Sequence, residues 1–211
     1  MLEALPQALG PADRYEATVV GANSSGTHFQ KVQVAGVRVQ RHNTPVIDSF
    51  DIELKDVSID RPNKQVTGIG AARAMVRVTA ADLTSYLQQQ RWIGQPHVRL
   101  SAPDGVVVDG NLTVPGLGHT PSAPALFSGR LAVSGSRLLL VVDSLSIADR
   151  QAPPLVRSLV ATAINPLLDL SAYAAPSRID RVAVHADAIQ LDASGSQMQV
   201  SGRGPTFPTP R

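Results

Sequence analysis

A chain of 211 residues, 43% of them hydrophobic and none of them cysteine, has room for one large domain or two small ones. It has no access to disulfides, thiol chemistry or cysteine-ligated zinc. The net charge is only +2, no run of Lys or Arg marks a nucleic-acid face, and aromatics at 4% are too few for a base-stacking platform. Arginine outnumbers lysine 16 to 3, a bias that either a G/C-rich genome or phosphate recognition by the guanidinium fork would produce.

From the N-terminus, MLEALPQALGPADR carries neither a basic n-region nor a long apolar h-region, so it does not read as a signal peptide. Residues 1–12 are expected to be a truncated leader or a linker. Cytoplasmic location and loss of a leader both remain open. Val32 and Val34 then give way to Val37 and Val39, and Phe50, Ile52 and Leu54 to Val57 and Ile59. In each case an even-numbered apolar set becomes an odd-numbered one, which a regular strand would throw into water. Either two short strands meet at a tight turn, or one strand carries a bulge that resets the phase. Ala35-Gly36 offers a bulge residue. Lys55-Asp56 makes a poor hairpin turn, so one long bulged strand is predicted from about Val46 to Ile59.

A helix is predicted to start at Thr79, with Asp82 three residues on as in a capping box; Leu83, Tyr86 and Leu87 share one side, and Trp92 follows as an anchor. Alternation either side of Pro103-Asp104-Gly105 predicts an antiparallel hairpin over 96–114. Phe127, Leu131 and Val133 form a one-sided strand that Ser134-Gly135-Ser136 turns into Leu138–Ile147. Leu138–Val142 is apolar on both faces, so cover on both is expected there. This run is also the longest apolar one, far short of the ~20 residues a spanning helix needs.

The stretch PPLVRSLVATAINPLLDL follows. Leu155, Val156, Leu159, Val160, Ala163, Ile164, Leu167 and Leu168 repeat as pairs every four residues, the mark of a one-sided apolar helix. Pro153-Pro154 suit its first turn, and Pro166 predicts a break near Asn165. Val182 and Val184 before Ile189 and Leu191 repeat the phase change. The tail over 203–211 is Pro-rich and expected to be disordered. No linker divides the chain, so 13–202 is read as one α+β domain: a long, strongly curved antiparallel sheet around two amphipathic helices.

Motifs for chemistry are scarce. His28, His42, His97, His119 and His185 are scattered without HxxxH or HExxH spacing, and Asp48, Asp51, Asp56 and Asp60 do not follow the calcium-loop pattern. Gly68-Ile69-Gly70 lacks the third glycine and the following helix of a dinucleotide fingerprint; Gly116-Leu117-Gly118-His119 reads as a flexible loop. No metal or cofactor is expected. From periodicity the greasy helix favours a dry core; the rival is an apolar ligand between helix and curled sheet, where one acyl chain at ~0.8 kcal/mol per CH₂ would contribute on the order of 10 kcal/mol gross.

The order of segments carries a resemblance. VRVTAADLTSYLQQQ is similar to a TxADLxxYL helix start. With FQKVQVAGVRVQ and IDSFDIELKDVSI upstream, and VRLSAPDGVVVDGNLTV, FSGRLAVSGSRLLLVVDSLSIAD and the 153–195 segment downstream, the chain resembles the bacterial LmeA-like phospholipid-binding envelope family over residues 14–195. The resemblance implies a tubular lipid-binding fold like that of bactericidal/permeability-increasing proteins. It also implies a phospholipid-binding, non-enzymatic protein of the envelope or periplasm. A monomer partnered by phospholipid or another acyl lipid and by a membrane surface is expected. Acyl chains are then expected against Leu83, Tyr86, Leu87, Trp92, Leu155, Val156, Leu159, Val160, Ile164 and Leu167, with Arg91 and Arg157 as headgroup candidates. Two rivals stand beside it. One is a dry scaffold module of the envelope. The other is a lipid hydrolase that would need His97, His119 or His185 beside a nucleophile.

Overall fold

A computed structural model describes residues 9–41, 43–60, 62–63, 65–113, 122–172 and 178–199. His42, the Gly116–His119 loop and the 203–211 tail lie outside them.

The alternating segments pair as antiparallel strands. β1 (Arg14–Ala22), β2 (His28–Val39), β3 (Ile47–Asp60) and β4 (Gln65–Thr79) run as a meander. β11 (Arg178–Val184) and β12 (Ala188–Gln199) return to β4 and complete a six-stranded sheet of order β1-β2-β3-β4-β12-β11. The second sheet holds β5 (Ile93–Ser101), β6 (Gly105–Leu112), β7 (Ala123–Ser134) and β8 (Arg137–Ile147). Two short strands, β9 (Arg150–Gln151) and β10 (Leu168–Asp169), line β8. Helix α1 (Ala80–Gln88) joins the sheets, and α2 (Pro154–Ile164) lies between β9 and β10.

The expected single sheet is therefore two. β4 ends at Thr79 because that side chain caps α1, accepting from the Asp82 N–H. The place beside β4 that β5 would need is taken by β12, antiparallel from Ala188↔Thr79 to Gln199↔Gly68. Both sheets still share one core: Val34, Phe50 and Val76 from the first join Val108, Phe127 and Leu140 from the second. Leu9, from the segment read as a leader or linker, is buried in it too.

The three phase changes resolve differently. In β2 the pairing runs unbroken through Ala35-Gly36, so no bulge sits there. The reset falls at Arg38, whose φ of 56 lets both Val34 and Val39 point inward. Gly36 instead makes room for an aromatic ring, since a Cβ there would lie 2.6 Å from the Phe50 ring paired opposite. β3 is one strand of 14 residues, with positive φ at Asp56 and a register shift against β4 at Ser58/Ile59. Val182–Leu191 is instead a hairpin, closed by His185 N–H donating to the Ala188 carbonyl at 2.8 Å.

Double cover of Leu138–Val142 is only partial. Leu138 and Leu140 point into the core, while Val141 is 43% exposed. β8 is nonetheless sealed along its free edge, which would otherwise offer unpaired backbone groups to another strand. β9 pairs at Ser146 and Ile147, β10 at Arg137 and Leu138, and the Asn165 side chain takes Leu140 between them.

Asp169 holds the β10 end of that seal. Its carboxylate accepts from Ser171 N–H at 2.9 Å, Arg137 Nε at 2.9 Å and Ser136 Oγ at 3.2 Å, and its side chain is 24% exposed. Ser171 leads in holding its carboxyl down at about 2 from the usual 3.8, against the upward push of burial. A depressed carboxyl stabilises the fold fully above the unfolded value and loses that stabilisation as pH falls toward 2. Asp169→Asn is expected to cost about 2 kcal/mol at pH 7 in urea unfolding, with the gap to the parent closing between pH 4 and pH 2.

Candidate functional site

α1 is pinned at its start. Asp82, 4% exposed, receives Arg38 Nη1 at 2.7 Å and shares a hydrogen bond with Thr79, so the capping box also ties the helix to β2. That contact raises the Arg38 guanidinium's pKa. Further along, Thr84 Oγ accepts from Val98 N–H of β5 at 3.1 Å. This turns Leu83 and Leu87 inward, both under 5% exposed. Tyr86 is half-buried, and that burial pushes its phenol up.

α2 is held more lightly. Pro153 provides no side-chain cap, and Pro154 opens the first turn. The helix stops at Ile164 because Pro166 disfavours helical backbone at Asn165, whose ψ is 143. The expected stripe is thereby cut: Leu167 and Leu168 are buried through β10 and the turn before it, not on the helix. Only Val160 and Ile164 of α2 are buried, with Val156 packed at the core's margin.

Two spaces result. Between the helices and the second sheet runs an apolar seam. Leu83 and Leu87 of α1, Ile164 and Leu167, Val98, Val106 and Val108 of the β5–β6 hairpin, and Leu140 of β8 line it. Its volume is about 10 Å³, the room of roughly one water, so no acyl chain fits in this state. The larger space, about 800 Å³, lies on the other face of the first sheet, where Glu16, Asp51, Glu53, Arg73, Asp180 and Asp192 converge around Met75. Size alone would favour it, but its carboxylates would lose hydration against hydrocarbon, so the chemistry favours the seam.

The expected lipid residues thus divide. Leu83, Leu87, Ile164 and Leu167 meet in the seam; Trp92 and Val160 are buried in the same core; Tyr86 and Val156 pack at its margin. Leu155 and Leu159 are 71% and 37% exposed, outside it. Arg91 is exposed, and Arg157 Nη1 donates to the Asp143 carbonyl at 3.0 Å. Val98, Val106, Val108 and Leu140 were not among the expected lining residues. Their alternation marks an inward face, but not that helices cover it.

Catalytic geometry is weak. His97 and His185 are exposed, and His119 lies outside the described residues. His28 Nδ1 and Ser58 Oγ approach to 3.5 Å with Asp56 3.9 Å away, as a cross-strand pair outside both spaces. Among the described residues no group of three or more acidic or histidine side chains is placed to hold a metal, and no helix is long and apolar enough to cross a membrane.

Two antiparallel sheets and two helices, with a wholly apolar seam between the helices and the second sheet, define a mostly β protein. The match to known families is more specific: the chain belongs to the LmeA-like phospholipid-binding family, whose profile matches residues 7–194. That family is a lipid-binding one and not a known enzyme family, and it is associated with the cell envelope. No curated protein and no solved structure is significantly similar to the chain.

Proposed function

We propose that this protein binds phospholipid non-enzymatically by its acyl chains, in the seam beneath α1 and α2, as a monomeric envelope protein that carries lipid. The observation that carries the reading is the seam itself: every residue lining it is apolar, and it lies in a chain of a phospholipid-binding family. At about 10 Å³ it is a closed state, so loading requires a helix to move. α2 is the element to move, because it lacks a side-chain cap and buries only two residues, whereas α1 is tied by Asp82 and Thr84. Chains would then meet Leu83, Leu87, Val160, Ile164 and Leu167, with Arg157 or Arg91 at the headgroup, and the second sheet would curl about them as a half-barrel.

Native mass spectrometry of the purified protein, followed by delipidation and re-exposure to phospholipid, tests this. Copurifying lipid, or stoichiometric uptake of one or two acyl-chain lipids, is expected. Protein that carries none and takes up none overturns the reading. The tightness of the seam favours a second reading, a dry scaffold. It predicts no uptake, together with capture of an envelope protein by the delipidated chain.

A further inference from the structure

We infer that Arg157 makes the seam selective for lipids that carry phosphate, because its guanidinium fastens α2 over the seam until phosphate draws it away. The inference rests on the phospholipid-binding reading and concerns how that same site opens. β8 carries a bulge. Its pairing with β7 runs Gly129↔Val142 and then Ser128↔Ser144, so Asp143 is the extra residue, with no partner opposite. Its carbonyl turns to α2 instead and accepts from Arg157 Nη1 at 3.0 Å. The edge of β8 is thus fastened in turn by β10 at Arg137 and Leu138, by Asn165 at Leu140, by Arg157 at Asp143, and by β9 at Ser146 and Ile147. Arg157 is the charged side chain in that series, and it holds the half of α2 whose start has no side-chain cap.

That cation faces a neutral acceptor. The Asp143 carboxylate is engaged by Arg130 through bonds of 2.9 and 3.1 Å, and among the described residues Arg157 forms no ion pair. A phosphate brings a negative charge and paired oxygens that match the planar fork, and this bidentate pairing is stronger than a single bond to a neutral carbonyl. Phosphate arriving at the margin of α2 therefore takes Arg157 from Asp143. Only the released guanidinium offers its whole fork, so phosphate binds the open state better than the closed one and shifts the balance toward it. A diacylglycerol with the same chains has no charge to offer Arg157 and meets α2 still fastened. Headgroup recognition and opening of the seam are then one event, and the ligand class is a phosphate-bearing lipid and not a neutral one.

Two measurements on the full chain test this. The first is hydrogen exchange along α2 with millimolar sn-glycerol 3-phosphate, which has no acyl chain, against sodium chloride at the same ionic strength. Exchange in wild type should accelerate about two- to tenfold, the range that one hydrogen bond supports. Arg157→Met, which keeps the stem and loses the fork, should exchange that fast already and not respond. Arg181→Met, which removes the same charge from an exposed site on β11, should respond as wild type does. The second is uptake of a short-chain phosphatidylglycerol against a diacylglycerol of identical chains. Wild type should take up the phospholipid about two- to tenfold faster, and in Arg157→Met the ratio should fall toward one as diacylglycerol uptake rises. No response of wild type to glycerol phosphate, or a phospholipid preference retained in Arg157→Met, overturns the inference. Uptake of both lipids by wild type at one rate overturns it and leaves lipid binding standing. Uptake of neither overturns the lipid-binding reading and this inference together.

Discussion

Ile164→Ala is expected to lower the unfolding free energy by about 2–5 kcal/mol and to speed phospholipid uptake at the same time. The side chain is 2% exposed and stands between Leu140 of β8 and the α1 leucines, at the end of the helix. Deleting its outer carbons removes both transfer energy and contacts, because the seam has almost no spare volume into which neighbours could relax. The lost volume appears where the acyl chain is proposed to enter. Stability and uptake should therefore change in opposite directions, which ordinary core damage would not produce. Leu155→Ala, on the outward stripe of the same helix and 71% exposed, serves as the control and should shift stability by less than about 0.5 kcal/mol. Urea midpoints and stopped-flow uptake of a fluorescent phospholipid read the two quantities. An uptake rate that falls with stability in Ile164→Ala would remove the seam from the account of lipid binding.

How far the residues alone reveal this arrangement depends on the range of the interaction that decides each feature. Local signals carried well. Thr79 and Asp82 marked the start of α1, Pro166 the end of α2, and Pro103-Asp104-Gly105 the hairpin that became β5 and β6. These depend on backbone chemistry within a few residues. The Phe50–Ile59 phase change was legible as one strand because Lys55-Asp56 is a poor turn, but the matching change at Val34–Val39 was assigned to Gly36 when Arg38 adopts the left-handed backbone. Local chemistry favours the glycine for such a backbone, so it points to the wrong position. The guanidinium of Arg38 lies 2.7 Å from Asp82, 44 positions along the chain, a partner no window around residue 38 contains. The division into two sheets escaped for the same reason. It is set by β12 occupying the edge of β4, a pairing between residues more than a hundred positions apart. Periodicity likewise marks α2 as apolar on one side, but does not say that Val160 and Ile164 are covered while Leu155 is not.

Asn165→Ala is expected to loosen α2 without touching the seam's lining. The side-chain amide of Asn165 substitutes for a strand partner at the edge of β8: its Oδ1 accepts from Leu140 N–H at 2.7 Å and its Nδ2 donates to Leu140 C=O at 2.9 Å. Truncation strips both partners from a part-buried backbone, and each orphaned group costs about 1–3 kcal/mol unless water reaches it. About 2–4 kcal/mol is therefore at stake in the contact that fastens the C-terminal end of α2 to the second sheet. Water can restore those bonds only when the helix has moved away, so the substitution penalises the closed state more than the open one. Because every 1.4 kcal/mol shifts a two-state ratio tenfold, the open population should rise by about one and a half to three orders of magnitude. Hydrogen exchange at Leu140 and along α2 should accelerate to match, while amides of β3 and β4, whose pairing lies in the other sheet, should keep their protection. Asn165→Asp retains the acceptor for Leu140 N–H but loses the donor to its carbonyl, and should fall between the parent and alanine. If exchange rises equally in both sheets, Asn165 supports the whole fold instead of latching one helix, and α2 is not the door.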